Sequence, residues 1–126
     1  GRIQHGFNMR PDLCQVETQT NPADLLRRIY VDSLVHDREA LSFLVDRLGA
    51  EQIALGTDYP FPLGELSPGK LIESTSSLTP EQKERMLSGT ALEWMGVGRE
   101  RFETEASRRH SESLYYDLWT HDHDHG

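Results

Sequence analysis

The chain has 126 residues, a formal net charge of −8 and 36% hydrophobic residues. The negative balance argues against nucleic acid as a partner, and no apolar run approaches the roughly 20 residues that cross a bilayer. Cys14 is the single cysteine, which excludes an intrachain disulfide and leaves nothing to argue for secretion, so a cytoplasmic location is expected.

Residues 1 to about 20 start helical and become an irregular arm, because Pro11 interrupts the helix. Cys14 on this arm reads as an unreactive thiol. Asn21 and Pro22 then supply an N-cap and a first helical position for a short helix to about Arg28. Residues 29–35 are rich in β-branched side chains and predict a strand. Asp37 caps a helix over residues 38–48, in which Leu41, Leu44, Val45 and Leu48 mark one apolar face, and Gly49 stops it. Residues 53–56 predict the next strand. Strand, helix and strand in that order predict two neighbouring parallel strands, hence an α/β chain. A loop over residues 57–69 follows. Short helices are predicted over 70–74, over 80–88 with Thr79 as cap, and over 91–95. From about Arg99 the pattern decays into charges, and residues 120–126 form a polar tail.

The most informative stretch is Gln52-Ile53-Ala54-Leu55-Gly56-Thr57-Asp58-Tyr59-Pro60-Phe61-Pro62. A short apolar run climbs to a glycine, a single carboxylate follows, and two prolines stop regular structure. A buried parallel strand ends this way when it presents one acidic side chain at its C-terminal tip. In a (β/α)₈ barrel that tip is the active-site face. An Asp that merely caps a turn before Pro60 fits the same spacing.

Gly56-Thr57-Asp58-Tyr59-Pro60-Phe61-Pro62-Leu63-Gly64-Glu65 resembles the last-strand motif of the 2-amino-3-carboxymuconate-6-semialdehyde decarboxylase family, zinc-dependent members of the amidohydrolase superfamily. Gly1-Arg2-Ile3-Gln4-His5-Gly6-Phe7 and Met9-Arg10-Pro11-Asp12-Leu13-Cys14 resemble the helix and arm after the family's sixth strand. Tyr30-Val31-Asp32-Ser33-Leu34-Val35-His36-Asp37 resembles its seventh strand. Pro68-Gly69-Lys70-Leu71-Ile72-Glu73-Ser74 and Ser88-Gly89-Thr90-Ala91-Leu92 resemble its closing helices. The likeness covers residues 1–102 and leaves residues 103–126 as a polar C-terminal tail.

The resemblance implies the C-terminal part of a (β/α)₈ TIM barrel, its last two parallel strands with their helices. A whole barrel takes roughly 250 residues, so the chain is expected to be a C-terminal fragment. The family's His-x-His pair, its fifth-strand His and its His-Gly-Gly-Gly motif have no counterpart here. The implied parent is a decarboxylase of 2-amino-3-carboxymuconate 6-semialdehyde in tryptophan and kynurenine catabolism. Asp58 matches the family's Asp ligand to zinc, which three His complete. Arg2 matches an Arg that reaches a substrate carboxylate in the neighbouring subunit's site, as an Arg fork can do bidentately. The interval from Arg2 to Asp58 fits the family's, and the implied partners are a dicarboxylate substrate and a second copy of the parent. Phe61 is expected to line the substrate pocket. By itself the fragment is expected to be inactive, because a zinc site needs three or four protein ligands.

Other residues point less far. His36 could face the barrel mouth, though capping or packing explains it as well. His5 and Arg10 fall on the arm and suit the dimer surface. His121, Asp122, His123, Asp124 and His125 alternate ligand types, but a solvated tail is the plainer reading. Trp119, Tyr115 and Tyr116 could dock as a small cap. Two other readings stay open: a piece of a related metal-dependent amidohydrolase, or a non-catalytic interaction protein made from a remnant barrel.

Overall fold

The structure, a computed structural model, describes residues 1–105. The tail histidines and aromatics named above lie outside the described residues. The chain divides into two compact units, Gly1–Trp94 and Met95–Gly126. In the second unit the described residues hold one 3₁₀ turn, Arg99–Arg101.

The first unit begins with the arm. Helix α1 (Arg2–Met9) stops at Arg10, and Pro11 restarts the chain as α2 (Pro11–Cys14). Proline has no N–H to give to a continuing helix, so the break falls where predicted. Helix α3 (Pro22–Leu26) starts at Asn21, whose Oδ1 accepts from the Ala23 N–H at 2.9 Å. Of the arm's apolar side chains only Phe7 is buried. Two polar ties complete the arm: Gln15 Nε2 donates to the Phe7 carbonyl, and Gln4 Oε1 accepts from the Ala23 N–H.

Strand β1 (Val31–Asp32) and strand β2 (Ile53–Ala54) form a two-stranded parallel sheet, pairing Val31 with Ile53 and Asp32 with Ala54. Both are shorter than the apolar runs predict. The ladder ends with the Ser33 N–H donating to the Ala54 carbonyl at 2.9 Å. Beyond it, the buried Ser33 Oγ lies 3.4 Å from the Gly56 N–H, so a side chain takes the place of the next rung. The approach is close on the other face too. A Cβ at Gly56 would sit 2.6 Å from the Cβ of Asp32, so only glycine fits.

Helix α4 (Arg38–Leu48) connects the strands within the bounds its local signals predict. The Asp37 Oδ1 accepts from the Ala40 N–H at 2.7 Å, and the helix closes at Gly49. Gln52 then ties the two strand entries together, because its buried Nε2 donates to the carbonyls of Arg27 and Ile29.

After a long loop come α5 (Lys70–Ser74) and α6 (Pro80–Glu84). Thr79 and Gln82 form a reciprocal capping box at the start of α6. The sequence predicts a break between residues 88 and 91. Instead the helix widens into a π-helical stretch, Arg85–Gly89, and continues as α7 (Thr90–Met95). A π-turn shifts the backbone partners by one residue. Here the Met86 carbonyl accepts the Leu55 N–H of the chain leaving β2. Thr90 Oγ1 adds a buried hydrogen bond to the Ala50 carbonyl at 2.7 Å.

The core is Leu41 and Val45 of α4, Ala50, Ile53 of β2, Ile72 of α5, Leu78 and Met86. Each fully buried large side chain contributes about 1.5–3 kcal/mol of transfer free energy. The sheet and three helices therefore converge on one apolar centre, and the C-terminal ends of both strands project from it.

Candidate functional site

Parallel strands place their C-terminal ends on the same side. His36 and Asp58 each stand four residues past the last paired rung, Asp32 with Ala54. Both adopt left-handed backbone, with φ of 54° and 55°. Non-glycine residues rarely do so, and Asp and His are among the side chains that tolerate it. The first strand end leads at once into Asp37 and α4. The second opens into the loop.

That loop is closed on itself. The Glu65 N–H donates to the Thr57 carbonyl at 2.8 Å, the Phe61 N–H to the Asp58 carbonyl at 2.8 Å, and the Gly64 N–H to the Phe61 carbonyl at 3.0 Å. Gly64 packs so tightly that a Cβ there would lie 2.5 Å from the Thr57 carbonyl oxygen. The Glu65 carboxylate reaches onward to the N–H groups of Leu71 and Gly69, at 3.0 and 3.4 Å, and fixes the loop to the start of α5. The loop's large apolar side chains do not hold it. Tyr59, Phe61 and Leu63 are 86%, 65% and 81% exposed.

Asp58 and Phe61 thus share one turn. The Asp58 carboxylate is exposed, and no hydrogen bond or ion pair with a described residue engages it. An exposed carboxylate at a strand tip suits a metal ligand in donor type. Among the described residues, however, no group of three or more His, Cys, Asp and Glu could hold a metal ion. These residues offer one ligand and not a set, so a zinc site cannot be built from them.

Arg2 is elsewhere. It lies on α1 and lines a hollow of about 410 Å³ with Ile3, Gly6, Phe7, Cys14 and Pro22. Neither Asp58 nor Phe61 lines that hollow. A second, wide hollow of about 820 Å³ opens beside the loop among Ser33, His36, Asp37, Arg38, Glu65 and Lys70. It too excludes Asp58 and Phe61. The remaining arm candidates are exposed. Arg10 forms a bidentate pair with Asp12 at 2.9 and 2.7 Å. The hydrogen bonds from Arg10 hold the Asp12 carboxyl below its ordinary range and raise the Arg10 guanidinium above its own. Cys14 is exposed, and His5 lies on the outer side of α1.

Sequence reasoning missed the parts that build the loop. Glu65 and Gly64 were legible only as continuation of a motif, and the role of His36 depends on a contact across 27 residues. The glycine before Glu65 was the available signal of a close backbone approach.

A model of the amidohydrolase family matches residues 3–97. The chain belongs to the amidohydrolase family. It is 57% identical over 97 residues to the 2-amino-3-carboxymuconate-6-semialdehyde decarboxylase of Dictyostelium discoideum, which covers 77% of this chain and 27% of that relative. It is 42% identical over 97 residues to the Caenorhabditis elegans protein of the same name, covering 77% of this chain and 24% of that relative. The chain therefore spans about a quarter of the length of the curated relatives it matches. The parallel pair of strands with helices packed on it is consistent with part of the barrel expected for this family. Among the described residues no helix is long and apolar enough to cross a membrane.

Proposed function

We propose that this chain is part of a zinc-dependent, non-oxidative decarboxylase that acts on 2-amino-3-carboxymuconate 6-semialdehyde. The observation that carries the reading is the identity to two relatives bearing that name, over a segment whose loop holds Asp58 out at a strand tip. Asp58 is one zinc ligand, and the other ligands come from outside the described residues. Bound zinc lowers the pKa of water toward 7 and so supplies a nucleophile near neutral pH. The residues of this chain do the positioning. The left-handed backbone at Asp58 aims the carboxylate, and Phe61 forms an aromatic wall one turn away. Arg2 pairs with a substrate carboxylate across a homodimer, a reading carried by the family resemblance and supported by its place in a hollow that Asp58 does not line. The parent is a (β/α)₈ barrel, works in the cytoplasm and belongs to tryptophan catabolism through the kynurenines.

The test is expression of the protein at the length of its relatives, with loss of the substrate's near-ultraviolet absorbance followed with and without zinc. Zinc-dependent release of carbon dioxide is expected, and the 126-residue chain alone should show none. A full-length protein that holds zinc but decarboxylates only other aromatic acids, or only hydrolyses amides or esters, would replace this reading with that of another amidohydrolase.

A further inference from the structure

The loop that carries Asp58 has an anchor outside itself. The ring Nε2 of His36 lies 2.7 Å from the carbonyl oxygen of Leu63. A carbonyl can only accept, so Nε2 carries the proton and donates it. Three features give this contact weight. The loop's large side chains are exposed, so packing does not fix it. Its internal hydrogen bonds close it into a ring but do not tie it to the sheet. Among the described residues the two outward ties are the Glu65 carboxylate, which runs to α5, and the His36 ring, which runs to the end of β1. The left-handed turn at His36 swings its ring toward the neighbouring strand's loop and away from α4, whose capping is done by Asp37.

We propose that His36 is a positioning residue: its Nε2–H tethers the Leu63 carbonyl and so holds the Asp58–Phe61 turn in register with the end of β1. Its value for catalysis rests on the reading of Asp58 as a zinc ligand, whereas the tether itself does not. His36 acts through the backbone of the loop, by limiting how far the carboxylate and the aromatic wall can drift.

Two substitutions separate the tether from the backbone turn. Asn tolerates left-handed backbone but is too short to reach Leu63, whereas Gln places an amide N–H near the position of Nε2 with a poorer backbone preference. In the full-length protein, His36→Asn should speed amide exchange at Gly64 and Glu65 about tenfold. It should lower kcat on the order of tenfold with a smaller change in KM. His36→Gln should stay within about threefold of the parent in both readings. If His36 serves only the turn into α4, the order reverses, and Asn behaves like the parent while Gln fails. That reversal, or unchanged exchange in both variants, overturns the proposal. The unmodified protein gives a reading that needs no variant: a His36 Nε2–H protected from solvent exchange supports the tether, and an unprotected ring proton contradicts it. A protein that turns over no 2-amino-3-carboxymuconate 6-semialdehyde would refute the proposed function and still leave the exchange order to decide the tether.

Discussion

Asp58 and Arg2 are held in opposite ways. Asp58 hangs from the core: Ile53 of β2 is fully buried, the Leu55 N–H is claimed by Met86, and the loop beyond is tied to the end of β1 and to α5. Arg2 rides on an arm with a single buried apolar side chain, Phe7, while Ile3 and Val16 stand 78% and 72% exposed. One functional candidate is therefore positioned by a loop that this chain's own core and hydrogen bonds hold. The other sits on a surface whose apolar residues lack cover among the described residues. A carboxylate set by a core needs only ligands brought to it, whereas an arginine on a thin arm needs a second surface to fix it.

The sharpest way to break this contrast is to hollow each part. Met86→Ala removes a fully buried side chain at the junction of the π-helical stretch and β2, and should cost about 2–5 kcal/mol. Phe7→Ala should loosen α1 to α3 while leaving the core's slowest-exchanging amides protected. Hydrogen exchange with thermal melts reads both. If Phe7→Ala destabilised the core as much as Met86→Ala, arm and core would be one cooperative unit and the contrast would fail.

Arg2→Ala sharpens the contrast on the functional side. On the proposed reading it removes a carboxylate partner and not a metal ligand. In the full-length protein it should lower kcat/KM on the order of 10–100-fold with zinc content unchanged. Mixing it with an Asp58 variant should restore part of the activity if Arg2 acts across a dimer. Lost zinc in Arg2→Ala would place it in the metal site instead, and no recovery in mixed dimers would count against action across subunits.

The smallest effect is expected at Arg10. Its pair with Asp12 is exposed on both sides, and such pairs add little to stability. Because Arg10 depresses the Asp12 pKa, any stability the pair gives is present above the ordinary Asp range and is lost as pH falls through the lowered value. Arg10→Ala should return Asp12 to the ordinary range in an NMR titration, with no measurable shift in Tm at pH 7. A clear drop in Tm would mean that the arm is held by this pair.

What could be read in the sequence follows from how local each signal is. Helix α4 fell where predicted because its start and stop are set by Asp37 and Gly49, each acting within one turn. The same holds for the caps Asn21 and Thr79. Strand lengths were overestimated because an apolar run reports burial, while a ladder's length depends on the partner. Ser33 ends this one with its hydroxyl, which no pattern announces. The π-helical stretch was illegible because it depends on where the Met86 carbonyl finds the Leu55 N–H. The sequence singled out Asp58 and Phe61 as candidates, and the structure joins them in one turn. It could not foresee the left-handed backbone at Asp58 or the tie from His36, since both arise from two strand ends meeting.

The measurement that bears most directly on the account is the zinc content and turnover of Asp58→Asn in the full-length protein. Asn keeps the size of the side chain and tolerates φ near 55°, so the loop and the melting temperature should be preserved. It lacks the charge that a zinc ligand supplies. Weakened zinc binding by metal analysis and loss of decarboxylation are expected, with the core intact. Full zinc and normal turnover, with Tm lowered by an amount fitting a lost turn cap of about 1 kcal/mol, would contradict this and leave Asp58 as a structural residue.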